Sequence, residues 1–553
     1  MFKDRFLRKK EFESYQDYLE NAAPIVPENF NFAFDVLDVL AMEQPDARAI
    51  LWADDKGNEK TFTFKELSEI SNQAANALAA RGIKKFDTVL LFLRRRWEYW
   101  VLMMALHKIG AIAIPSTNQL KAHDISYRLK MSHASAVIAF DDEYIINEIE
   151  AALADCHVSH KLSVAGSPAG WFDISEFWAG QEKTFERAPN KNSDPMVIYF
   201  TSGTTDMPKM VLHDYTYPLG HINTAVFWQR LQPGDLHFTL SESGWAKCSW
   251  GKMYGQWIAQ ACVFIYDFSG KFPAEELLRI LSDYKITSFC APPTVYKMLI
   301  RENMSRYDLS SISKADIAGE ALNPEVFRIF HEIAGVKLHE GFGQTETCVM
   351  LFSNQWIEPK PGSMGMPAAG WDIRLIENGK EADVNEVGEI VVKIDEKRPT
   401  GLFRGYFENE KQNARTFRSG YYHTGDMAYK DKDGYYWFVG RKDDLIKSSG
   451  YRISPFEVES ILLEHPAVKE VAITGVPDDL RGMLIKATIV LNKYFQGTDV
   501  LVREIQEHVK KTTAPYKYPR IIEFVETLPM TISGKIKRAV IRTLDFDKGK
   551  RKK

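Results

Sequence analysis

Two helical stretches, each closed by a glycine and followed by a short apolar run, constrain the fold most. Phe64–Arg81 (FKELSEISNQAANALAAR) repeats its apolar positions at helical spacing and stops at Gly82, a helix-ending signal. Thr88–Leu93 (TVLLFL) then reads as a buried strand. Trp97–Ile109 reads as a second helix, closed by Gly110, and Ala111–Pro115 as a second strand. This rhythm predicts a doubly wound α/β sheet with parallel strands over the region to about residue 190.

The texture changes twice further on. From Gly365 the runs become short, glycine-punctuated and strand-like, at Trp371–Glu377, Glu389–Ile394 and Tyr435–Val439, which predicts a small antiparallel β subdomain. Near residue 442 a compact α+β unit begins. Helices are expected at Pro455–Glu464 and Leu501–Thr512, and strands at Val471–Gly475, Lys486–Leu491 and Arg520–Val525. The expected fold class is therefore α/β plus α+β. A large N-terminal domain, 1–442, carries the doubly wound sheets and the antiparallel subdomain, and a small C-terminal domain spans 443–553. A length of 553 residues leaves room for several cores, and 45% hydrophobic with 26% charged residues is ordinary globular usage. That composition excludes a disordered or collagenous chain.

Seventy basic against 74 acidic residues leave a net charge of −4. Bulk electrostatics therefore give no drive toward nucleic acid or an anionic membrane, and any polyanion must be held locally. The five cysteines (Cys156, Cys248, Cys262, Cys290 and Cys348) form no CxxC pair, which argues against a disulfide framework or a zinc ribbon. The first twenty residues are charged throughout and contain acidic groups, unlike a secretory signal or a mitochondrial presequence. No apolar run approaches the ~18 residues that span a bilayer. The expectation is a cytoplasmic protein without integral membrane association; the oligomeric state is left open, a homo-oligomer being one option.

The most informative segment is Tyr199–Lys209 (YFTSGTTDMPK), which follows a strand pattern at Met196–Phe200. Small hydroxyl residues around a glycine let backbone N–H groups and hydroxyls converge on phosphate oxygens, and Lys209 adds a point charge. A Ser/Thr-rich surface turn is the plain alternative, and the Walker pattern GxxxxGK[ST] does not occur.

TSGTTDMPK is similar to the signature of the adenylate-forming superfamily of acyl-CoA synthetases, luciferases and peptide-synthetase adenylation domains. Six further segments resembling that family follow in order: Gly319-Glu320-Ala321, Gly343-Gln344-Thr345-Glu346, Tyr422-His423-Thr424-Gly425-Asp426, Gly440-Arg441-Lys442-Asp443-Asp444, Ser449-Gly450-Tyr451-Arg452 and Ser533-Gly534-Lys535. Gly244–Trp257 and Thr513–Arg520 resemble the medium-chain or branched-chain acyl-CoA synthetase branch. The resemblance implies an AMP-forming acid–thiol ligase with ATP, Mg²⁺ and coenzyme A as its requirements and a small carboxylic acid as its partner. The acid attacks the α-phosphate of ATP, and the CoA thiol then displaces AMP from the acyl-adenylate. Such chemistry is mostly charge neutralisation and alignment.

The resemblance also implies roles. Glu346 would ligate Mg²⁺ and Thr345 would reach the α-phosphate. Thr201, Ser202, Gly203, Thr204, Thr205 and Lys209 would hold the outer phosphates. Gly319, Glu320, Ala321, Glu340, Gly341 and Phe342 would form the adenine slot. Asp426 would take the ribose hydroxyls, with Arg441 beside it and Arg452 a further phosphate contact. Lys535 would bridge the substrate carboxylate and the α-phosphate as the catalytic lysine. Asp443 would be the hinge on which the C-terminal domain rotates between half-reactions, and Ser449, Gly450 and Tyr451 would then face the pantetheine of CoA.

For the acyl pocket, acetate-specific relatives carry a tryptophan where this chain has Gly343, so a larger acid is expected, short to medium in length or branched. Trp228, Trp245, Lys247 and Trp250 are candidate pocket walls. Asp206 stands where the family has glycine, placing a negative charge near the triphosphate, and Met530 stands where lysine is common. The run Arg94–Arg96 reads as a solvated helix start or as a contact for a CoA phosphate. Two other functions fit parts of the pattern: an adenylation enzyme that loads a carrier-protein phosphopantetheine, and a nucleotide-binding regulator without catalysis. The presence of Lys535, Glu346 and Asp426 disfavours the latter.

Overall fold

The computed structural model describes all residues except 202–206, 271–272, 320–321, 323, 396, 449–450, 479–480, 532–534 and 551–553. The chain divides into two compact units. The first comprises Met1–Thr201, Lys209–Asp372 and Lys393–Gly420; the second contains Ile373–Val392 and Tyr421–Lys553.

The expected βα rhythm is present in the first unit. Thr63 and Glu66 form a reciprocal capping box that starts helix Phe64–Ala80, and Gly82 follows its end at φ +91°. Helix Glu98–Ile109 ends at Gly110, whose left-handed backbone (φ +85°) lets the following Ala111 N–H bond the Leu106 carbonyl. Strands Thr88–Phe92 and Ile112–Pro115 pair in parallel. They belong to a sheet ordered 405–406, 209–214, 195–201, 112–115, 88–92, 136–140, 160–164, 172–173. Its first two pairings are antiparallel and the rest parallel. Parallel strands buried on both faces lose the alternating pattern, and Thr88–Phe92, Ile112–Pro115 and Ala136–Phe140 are buried at every position.

A second sheet of the same unit runs 363–367, 351–352, 338–342, 314–318, 288–291, 236–239, 262–267, 48–54, 59–63, parallel from 338–342 through 48–54. Its core joins Phe238, Phe264, Phe289, Tyr296 and Phe330. The strand Arg48–Asp54 pairs in parallel with Cys262–Asp267, far along the chain.

In the second unit, strands 380–381, 373–377, 388–393, 421–430 and 436–441 form the antiparallel sheet expected from the glycine-punctuated texture. The α+β part follows. Strands Val468–Asp478 and Gly482–Leu491 pair antiparallel, Ile521–Phe524 adds in parallel, and helices Pro455–Leu463 and Asp499–Thr512 cover a core around Ile473, Ile489 and Ile505. Among the described residues, no helix is long and apolar enough to cross a membrane.

Candidate active site

In the first unit the two flanks of the phosphate segment are paired strands. Strand Pro195–Thr201 leads into it and Lys209–Asp214 leaves it, with Thr201 directly opposite Lys209. Ser202, Gly203, Thr204, Thr205 and Asp206 lie outside the described residues. The Lys209 ammonium stands 5.3 Å above the Tyr406 ring. The Tyr406 hydroxyl in turn donates to Glu346 Oε1 at 2.8 Å. Tyr406 sits on the short strand that pairs with Lys209–Asp214, so one buried phenol ties the lysine of the phosphate segment to the carboxylate of the metal motif.

The metal motif follows strand Leu338–Phe342. Gln344 N–H donates to Thr347 Oγ1, and the Thr345 carbonyl accepts from His213 Nε2 at 2.8 Å. Burial keeps His213 neutral, pushing its pKa down to about 3. Among the described residues, no group of three or more His, Cys, Asp or Glu could hold a metal by itself. One half-buried carboxylate already fixed by a phenol suits Mg²⁺, which takes one or two protein carboxylates plus substrate phosphates and water. The donor set therefore fits this metal.

Glu340, buried on the same strand, has its carboxyl raised well above the usual range by burial, and its Oε2 is without a partner. Gly319 follows strand Lys314–Ala318 at φ +109°, and Lys247 reaches this edge by donating to the Ala318 carbonyl at 2.9 Å. Glu320 and Ala321 lie outside the described residues. Phe342 is half-buried at the strand end.

Two of the three predicted wall tryptophans pack on glycines of this segment. A Cβ on Gly341 would lie 2.5 Å from the Trp228 indole, and one on Gly343 would lie 2.4 Å from that of Trp250. The room that glycine opens at 343 is thus taken by Trp250, which corrects the expectation of an open space there. Trp228 donates to the His339 carbonyl at 3.1 Å. Trp245 is the half-buried residue preceding helix Ala246–Gly251, which carries Lys247 and Trp250. The arginine run is held by partners within the first unit and is not a freely solvated helix start. Arg94 bonds Asp267 and the Phe268 carbonyl, Arg95 lies 3.8 Å over the Phe268 ring, and Arg96 pairs with Glu98.

In the second unit, Asp426 and Arg441 are direct cross-strand partners, bonded at 3.1 Å. Asp426 is buried, while Arg441 is exposed and also donates to the Thr424 carbonyl. Beneath them Glu389 accepts from Lys442 Nζ at 2.8 Å and from Gly425 N–H at 3.2 Å, with His423 Nδ1 at 3.2 Å. Its carboxyl lies at about 2: burial alone would raise it, but these partners overcome that. Glu389 was read only as part of a strand; a carboxylate within the run Glu389–Ile394 was the available signal.

Asp443 is exposed in a turn, whereas Asp444 beside it is held by Arg542 at 2.8 Å and faces Arg538 at 3.8 Å. Tyr451 is half exposed and stacks on Tyr516 with ring centres 4.1 Å apart. The Arg452 backbone pairs with Lys447, and Ser449 and Gly450 lie outside the described residues. Lys535 is exposed at the end of a loop closed by the Met530–Ile536 bridge and by its own N–H bonded to Thr531 Oγ1.

The AMP-binding enzyme family matches residues 37–407, and its C-terminal domain matches 457–535. The mitochondrial acyl-coenzyme A synthetase ACSM3 of Mus musculus is 40% identical, over 99% of this chain and 96% of its own length. An anthranilate CoA ligase, AuaEII, solved with anthranoyl-AMP, superposes with a TM-score of 0.86 at 29% identity, covering 95% of this chain and 99% of its own. A benzoate CoA ligase from Burkholderia xenovorans LB400 does so at 0.81 and 26%, over 93% and 100%. The two-unit fold, the ordered motifs and these matches together place the chain in the AMP-binding enzyme family, on its acyl-coenzyme A synthetase branch.

Proposed function

We infer that this acyl-coenzyme A synthetase activates a small carboxylic acid, short to medium in length or branched. The reaction is AMP-forming: the acid and ATP give an acyl-adenylate and pyrophosphate, and coenzyme A then takes the acyl group and releases AMP. ATP, Mg²⁺ and coenzyme A are its requirements. The observation that carries the size of the acid is the seating of Trp228 and Trp250 on Gly341 and Gly343, which leaves little depth beside the motif.

We assign roles on this basis. Glu346, oriented by Tyr406, holds Mg²⁺, which when bound neutralises phosphate charge. Thr345, Thr201 and Lys209 face the phosphates. Asp426, set by Arg441 and by the Glu389 cluster, takes the ribose. Lys535 stabilises charge building between the acid and the α-phosphate. Asp443 is the hinge at which a C-terminal domain, 443–553, begins.

Pyrophosphate release with acids from acetate to decanoate, followed by mass analysis of the product with and without CoA, tests this reading. An acyl-CoA product from C3–C8 or branched acids is expected, whereas an adenylate discharged only by a carrier protein would support the loading enzyme. Trp250→Ala should shift the profile toward longer acids, and an unchanged profile would remove Trp250 from the pocket. We place the protein in the cytoplasm on its five free cysteines. The relative named above is mitochondrial, and cell fractionation separates the two compartments.

A further inference from the structure

Next to Gly343 three side chains meet whose hydrogen-bonding atoms have no partner: Tyr217 Oη, His221 Nε2 and Trp250 Nε1. All are more than nine-tenths buried, with relative exposures of 1%, 0% and 8%. Their rings are neighbours, Tyr217 to His221 at 4.6 Å and His221 to Trp250 at 6.3 Å between centres. The Tyr217 hydroxyl faces the Trp250 indole N–H. The far nitrogen of His221 is occupied, facing Thr224 Oγ1 at 3.1 Å, so the free one is left for another group. Trp250 is also the residue whose ring rests on Gly343, which connects the trio to the metal motif.

Phenylalanine in place of Tyr217 would fill the same space without an unpaired hydroxyl. Burying a donor or acceptor without a partner is costly, and such atoms on three neighbouring rings call for a group that satisfies them. We propose that this trio recognises a neutral hydrogen-bonding substituent on the acyl group, so that the favoured substrates are compact acids bearing a hydroxyl, carbonyl, amino group or ring nitrogen remote from the carboxylate. The proposal rests on the reading of Gly343 and Trp250 as acyl-pocket residues. Burial keeps His221 uncharged, and phenol and indole are neutral, so nothing in the trio favours a second carboxylate. A site built to bond a polar group discriminates strongly against the analogue that lacks it, whereas an apolar wall separates chain lengths only weakly.

The test compares kcat/KM of the full-length enzyme for matched acids: benzoate against the 2-, 3- and 4-hydroxy and amino benzoates, and hexanoate against 5-oxohexanoate and 6-hydroxyhexanoate. At least one polar member is expected to exceed its parent about tenfold or more, and Tyr217→Phe is expected to cut that ratio about tenfold. Trp250→Phe, which removes the indole N–H, provides the same readout if Tyr217→Phe does not fold. Tyr217→Phe should melt no lower than wild type, since it deletes an unpaired group. No polar preference in wild type, or a ratio unmoved by both variants, overturns the inference and leaves ordered water as the trio's partner. If no acid at all releases pyrophosphate from ATP, the synthetase reading itself fails and takes the inference with it.

Discussion

Tyr406 couples two groups 137 residues apart in sequence, receiving the Lys209 ammonium on its face and donating its hydroxyl to Glu346. Tyr406→Phe keeps the ring and deletes only the donated bond, so Glu346 loses its orientation. Adenylation, read by pyrophosphate exchange, should lose about tenfold or more in kcat/KM, while thioester formation from supplied acyl-AMP should change little. Equal losses in both steps would deny Tyr406 this role. Lys535→Ala belongs to the same scale. Removing one charge-stabilising group costs roughly 10²–10³ in rate, so adenylation should collapse while supplied acyl-AMP still yields thioester. The lysine was legible from its Ser-Gly-Lys setting. Tyr406 was not, because a two-residue strand has no periodicity and its partner is distant. Gly343 was half legible: the missing side chain shows in the sequence, but the indole that fills its place comes from helix Ala246–Gly251.

Among the elements, the paired strands Tyr421–Lys430 and Tyr436–Arg441 bring Asp426 opposite Arg441, and Glu389 on the neighbouring strand locks both strand ends. The Glu389 carboxyl titrates at about 2, against about 4.5 in an unfolded chain. A depressed carboxyl stabilises the fold fully above its unfolded pKa, and that contribution is lost as pH falls toward the folded value. Glu389→Gln should therefore melt below wild type at pH 6, and the gap should close between about pH 4.5 and 2. A gap independent of pH would assign the loss to shape, not charge. The helices and parallel strands of the first unit were legible because apolar spacing and glycine caps are local signals. The cross-strand register that creates the Asp426–Arg441 pair depends on which strands meet, and local periodicity carries no such information.

For the whole molecule, the proposed hinge separates an exposed Asp443 from an Asp444 held by Arg542 and faced by Arg538 of the last helix. Proline fixes φ near −65° and restricts Lys442 before it, so Asp443→Pro should leave one conformer. In single turnover acyl-AMP should accumulate and CoA should fail to discharge it, whereas Asp443→Ala should retain much of the second step. Normal acyl-CoA production by a folded proline variant would remove the hinge from this position. The antiparallel strands of the second unit were legible in the change of texture near residue 365, since glycine-punctuated strands and alternating helices bury their surfaces differently. The second large sheet of the first unit was not, because Arg48–Asp54 and its parallel partner Cys262–Asp267 are distant in the chain.

That pairing sets a schedule for biosynthesis. Arg48–Asp54 meets Glu59–Thr63 at once, but its other edge waits for Cys262–Asp267, about 200 residues later. At ~5–20 residues per second a ribosome needs roughly 10–40 s to deliver that partner. Throughout that interval Ile50, Trp52 and their neighbours offer an open strand edge to any other nascent chain, so the yield of active enzyme should depend on chaperone supply and translation speed more than on the stability of the finished fold.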